Sequence, residues 1–74
     1  MIHIHINRPA HHFIGQIRRY GHQRWETVTG KCKTHQAAMC KAINAMAADH
    51  NRARVLLIAD CGYYEPTVVL EARE

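Results

Sequence analysis

The chain predicts an α+β fold: a two-layer β-β-β-α-β-β arrangement with one helix packed on one face of a mostly antiparallel sheet. Three observations lead there. Ile2, Ile4 and Ile6 alternate with His3 and His5, which is the period of a strand. Thr34 to Asp49, THQAAMCKAINAMAAD, is an alanine-rich stretch with apolar residues at helical spacing. Val55 to Ala59, VLLIA, is apolar at every position, as a strand buried on both faces is. With 74 residues, of which 47% are hydrophobic, the chain forms one domain spanning 1–74 and is too apolar for a disordered segment.

The elements follow in order. Ile2–Ile6 reads as a first strand, isoleucines inward and histidines outward, broken by Pro9. His12–Tyr20 is a second strand, in which Gly15 marks a bulge or a close contact. Gly21 and His22 make a tight connection. Gln23–Thr29, with Trp25, Thr27, Val28 and Thr29, is a third strand, and Gly30–Lys33 leaves the sheet. Thr34 caps the helix with its hydroxyl. The helix is expected to end near 49–51. Arg54–Asp60 is the central fourth strand, Cys61–Glu65 a turn, and Thr67–Ala72 the fifth strand, opened by Pro66.

On the helix, His35, Ala38, Met39, Ala42, Ile43, Ala45 and Met46 fall on one arc, the expected core face. The opposite arc carries Ala47 and five interface candidates, Ala37, Cys40, Lys41, Asn44 and Ala48, with one charge among small side chains. A solvated helix back normally carries several Lys and Glu. This one would let another surface approach the backbone closely, so these five residues are the candidate protein interface.

Net charge is +4 and unevenly spread. Residues 1–54 hold nine Lys/Arg against Glu26 and Asp49, whereas 55–74 hold Arg73 against four acids. The basic portion suits phosphates or an acidic protein surface. Arg18, Arg19, Arg24, Lys31 and Lys33, beside Tyr20 and Trp25, form a candidate nucleic-acid contact on the hairpin and helix entry. Core or sheet packing is the plainer reading of the two aromatics.

Catalysis and metal binding find little support. His3 and His5 project from one strand face, but catalytic zinc normally takes a third protein ligand. Cys61 beside Asp60 is a poor nucleophile, because a neighbouring carboxylate disfavours the thiolate. No phosphate loop, dinucleotide fingerprint or carboxylate pair is present. The expectation is therefore a protein that is not an enzyme and holds no metal or cofactor. Cys32, Cys40 and Cys61 are odd in number and lack CxxC spacing, which fits reduced thiols in a cytoplasmic protein. No apolar run approaches the ~20 residues of a membrane span, and the N-terminus has no leader pattern.

Two resemblances bear on partners. The stretch VTGKCKTHQAAMCKAINAM resembles the lysine-plus-alanine helix entry of double-stranded RNA-binding domains, in which strands lead into a helix whose first lysines meet phosphates. The chain departs from that family by lacking a leading helix and by continuing into two further strands. The whole layout, with QAAMCKAINAM at Gln36–Met46 followed by RVLLI at Arg54–Ile58, is similar to very short phage proteins of the type I-F anti-CRISPR kind. That resemblance brings no functional motif and so assigns no residue a role. It implies a phage-derived, non-enzymatic binding protein that inhibits a nucleic-acid-handling protein complex by occluding a surface. The alternatives are direct nucleic-acid binding by the basic hairpin, and a structural homodimer packed through the helix back or the open sheet face.

Overall fold

Strands β1 (His11–Arg19), β2 (Trp25–Thr27), β3 (His50–Ala59) and β4 (Thr67–Arg73), with helix α1 (His35–Ala45) between β2 and β3, make up the computed structural model, which describes residues 10–60 and 65–73. The sheet order is β2-β1-β3-β4, and every neighbouring pair is antiparallel. The fold is thus a small α+β domain with a four-stranded sheet and one helix. The expected strand over Ile2–Ile6, its outward His3 and His5, and most of the Cys61–Glu65 turn lie outside the described residues.

The long β1 and β3 form the centre. Their register pairs Phe13 with Leu57, Gly15 with Val55 and Ile17 with Ala53 on one face. That face receives the helix: Ile17, Ala53 and Val55 are buried with Ala38, Met39 and Ala42, and Cys32 joins them from the segment before the helix. Cys32 is held there by a pair of backbone hydrogen bonds with Phe13, 2.8 and 2.9 Å long. The helix approaches very closely because residue 15 has no side chain. A Cβ placed there would lie 2.6 Å from the Ala38 carbonyl oxygen. Gly15 is therefore the close contact its position in the strand suggests, and its own N–H is taken by the Thr29 hydroxyl at 2.8 Å.

Thr34 caps α1 as expected, its Oγ1 accepting from Ala37 N–H at 3.1 Å. Thr34→Ala is expected to cost about 1 kcal/mol, readable as a lower urea midpoint at unchanged slope.

Four expectations are corrected. The helix stops at Ala45 instead of Asp49. Alanines favour its continuation, but tertiary partners take the backbone: Ala47 N–H donates to His50 Nδ1 at 2.9 Å, and Tyr20 N–H donates to the Asp49 carbonyl at 2.8 Å. The chain turns at Ala48–Asp49 and enters β3 at His50, four residues before the expected Arg54. The third strand shrinks from Gln23–Thr29 to Trp25–Thr27, with one further bond from Val28 N–H to the Gly15 carbonyl. The core arc of the helix is narrower than its apolar pattern. Ala38, Met39 and Ala42 are buried and Met46 is half-buried, whereas His35, Ile43 and Ala45 are exposed. His35 meets the core only edge-on, 5.9 Å from the Phe13 ring.

Candidate functional site

The face of the sheet turned away from α1 carries the chemistry. Antiparallel register places directly opposed residues on the same face. Trp25 of β2 stands opposite Arg18 of β1, Arg18 opposite Arg52 of β3, and Arg52 opposite Arg73 of β4. One rung along, Thr27, Gln16, Arg54 and Glu71 form a second row across the same four strands. Beyond that the face turns apolar, with Ile14 opposite Leu56 and Leu56 opposite Val68.

The second row is tied together. Arg54 Nε donates to Gln16 Oε1 at 2.8 Å, and Gln16 Nε2 donates to Thr27 Oγ1 at 3.0 Å. These bonds hold the Arg54 guanidinium over the Trp25 ring, 4.1 Å from its centroid. The Arg18 guanidinium lies 5.1 Å from the same ring. Both distances are within cation–π range.

The charges are poorly compensated. Glu71 is the one carboxylate that register places in these two rows among the described residues. Burial is the main influence that lowers the Arg54 pKa; Arg18 adds to the effect and Glu71 opposes it. The guanidinium still remains protonated. The Nε of Arg18 is buried and has no hydrogen-bond partner among the described residues.

The sequence-derived basic cluster does not form one patch. Arg18 belongs to the open face. Arg19, one residue on, is engaged by acids: its Nε donates to Glu26 at 2.9 Å and its Nη1 to Asp49 at 2.8 Å. The hydrogen bond to Glu26 is the largest influence raising the Arg19 pKa, and the same bond leads in lowering that of Glu26. Buried His50 adds to this knot, its Nε2 3.4 Å from Glu26. Tyr20 is exposed at the Gly21 turn, where Gly21 supplies the positive φ of 76°, and Arg24 is exposed just before β2. Lys31 and Lys33 flank Cys32, which pairs with Phe13. Phe13 and Arg18 are five residues apart on β1, so the lysines stand about 17 Å along the strand from Arg18. Arg18 is separated from the lysines by the length of the strand and from Arg19 by the sheet itself.

The helix-back candidates Ala37, Cys40, Lys41 and Asn44 are exposed on α1. Ala48 is exposed too, but in the turn after the helix, so the expected stripe ends at Asn44.

Sequence reasoning missed Arg52 and Arg54. The signal was present as alternation: R-A-R-V at 52–55 and Q-I-R at 16–18 both place polar groups on one face and core residues on the other. Among the described residues no group of three or more His, Cys, Asp or Glu is placed to hold a metal ion, and no helix is long and apolar enough to cross a membrane. Comparison with protein-family models, curated proteins and solved structures found no match to this chain.

Proposed function

We propose that this protein is a non-enzymatic nucleic-acid-binding domain that lays its open sheet face on the phosphate backbone. The row Trp25–Arg18–Arg52 carries the reading. Like charges directly opposed across strands destabilise a sheet. Arg18 and Arg52, directly opposed on adjacent strands, are a cost to the free fold that an anion would offset. Violations of local rules of this kind are expected where function requires them. The reading moves the contact from the hairpin tip to the sheet face, replacing Arg19, Lys31 and Lys33 with Arg52 and Arg54.

The test is anisotropy of a labelled oligonucleotide between about 50 and 200 mM salt, where phosphate contacts make affinity fall steeply. Arg18→Ala and Arg52→Ala should each weaken binding and reduce the salt slope by about one. Absence of binding at low salt by the folded protein overturns the proposal.

A second reading has one observation in its favour. Ile43 is 49% exposed on the helix beside Cys40 and Asn44, so about half of a large apolar side chain faces outward. In that reading the protein is an anti-CRISPR-like inhibitor that covers a surface of a nucleic-acid-handling complex with its helix back. Asn44→Arg separates the two: it should abolish docking to such a complex, or self-association seen by sedimentation, and leave oligonucleotide binding unchanged.

A further inference from the structure

The open face distinguishes between forms of nucleic acid, and this step rests on the reading just given. Four observations bear on it. First, the helix is on the wrong side to enter a groove, since Ala38, Met39 and Ala42 are buried against the opposite face of the sheet. Second, phosphate contact alone would need only the arginines. Yet the chain's sole tryptophan is placed among them, on a short edge strand, layered with the Arg54 guanidinium at 4.1 Å. Third, Arg54 is fixed from the side by Gln16, which is itself fixed by Thr27, so the layered pair is set before any ligand arrives. Fourth, the adjoining rung is apolar, with half-buried Ile14 and exposed Val68 on either side of Leu56, which is itself buried.

A duplex presents phosphates and keeps its bases stacked inside, so it has no use for an aromatic–guanidinium layer or an apolar rung. A single strand presents both charges and free base faces. Base stacking on aromatic side chains and on arginine planes is a general way of holding single strands. We infer that the open face is a single-strand site: a base stacks on the Trp25–Arg54 layer, and the adjoining phosphates meet the guanidinium groups of Arg18 and Arg52. Neighbouring strands lie about 4.8 Å apart, so the row from Trp25 through Arg18 to Arg52 crosses roughly 10 Å of sheet, enough for a short stretch of backbone lying across the strands. Stacking tolerates every base, so the site is expected to discriminate weakly among sequences.

Trp25 is also the built-in reporter. Its fluorescence is to be followed while the intact protein is titrated, at low salt, with a mixed-sequence single-stranded DNA or RNA oligonucleotide, with the matching duplex, and with inorganic phosphate. The single strand should quench the emission and bind at least tenfold more tightly than the duplex, and phosphate should leave the emission unchanged. In anisotropy with the same labelled single strand, Trp25→Ala should bind roughly tenfold more weakly, and Trp25→Phe should restore most of the loss. Circular dichroism of each variant checks that the sheet is intact. If Trp25→Ala fails to fold, Trp25→Phe together with the wild-type quenching still decides the matter. Equal affinity for duplex and single strand, with Trp25 emission undisturbed, overturns the inference while the proposed function stands. Failure to bind either form overturns both.

Discussion

Gly15→Val is expected to lower the unfolding free energy by about 3 kcal/mol, at the upper end of the usual cost of overpacking. A Cβ at this position would lie 2.6 Å from the Ala38 carbonyl oxygen, 2.9 Å from the Ala42 Cβ and 3.1 Å from the Thr29 methyl. The first of these is helix backbone, which cannot swing aside as a side-chain end can. To relieve the contact α1 would have to lift off β1, exposing Ala38, Ala42 and Ile17 together. One effect opposes the loss: replacing a glycine inside a strand recovers roughly 0.5–1 kcal/mol of backbone entropy. It is the smaller effect. A domain of this length has only about 4–11 kcal/mol in all, so a substantial unfolded population is expected on warming. Urea unfolding followed by circular dichroism measures the change. Gly15→Ala should fall between Val and wild type. If Gly15→Ala is as stable as wild type, the helix is not seated on β1 this closely.

The same contact shows how far the fold could be read from residues. Strand periodicity over 12–20, the apolar run at 55–59 and the capping Thr34 are local signals, and each marks an element that forms. Gly15 in a strand pointed to a close contact, but not to the partner, because Ala38 lies 23 positions away in sequence. The early end of α1 was illegible for a similar reason. Met46 to Asp49 reads as helix by propensity, and it is partners from Tyr20 and His50 that turn the chain instead. Local preference yields where tertiary hydrogen bonds are available.

The candidate site was less legible than the fold. The basic residues of the hairpin were visible as a cluster along the chain, but adjacency in sequence sends neighbouring strand residues to opposite faces. Arg18 and Arg19 illustrate this: one joins the open face, the other is engaged by Glu26 and Asp49. The arginine row needs the register of two strand pairs before it exists. Residues 18, 25 and 52 come together only when β1 is placed between β2 and β3. The helix back, in contrast, is a local feature and could be read directly, apart from Ala48.

The second large effect is expected at Ile17, and it decides which sheet face holds the core. Ile17 is 1% exposed and is packed with Cys32, Ala38, Met39, Ala42, Ala53 and Val55. Ile17→Ala removes buried methylenes and leaves a cavity that the neighbouring alanines are too small to fill, so a cost of about 2–5 kcal/mol is expected. Ile14 gives the control. It lies on the same strand but on the open face, opposite Leu56, and is only half-buried. Ile14→Ala removes the same atoms from a site that water already reaches, and should cost less than half as much. The contrast extends to β3. Val55, on the helix side, is fully buried, whereas Ile58, opposite His12 on the open side, is half-buried. Val55→Ala should therefore cost more than Ile58→Ala, although isoleucine loses more atoms than valine in the change. Urea midpoints of the four variants at constant slope give the order directly. If Ile14→Ala and Ile58→Ala prove the costlier pair, the open face is covered in the folded protein. It could not then also serve as the binding face, and both the arginine row and its proposed ligand would have to be reassigned.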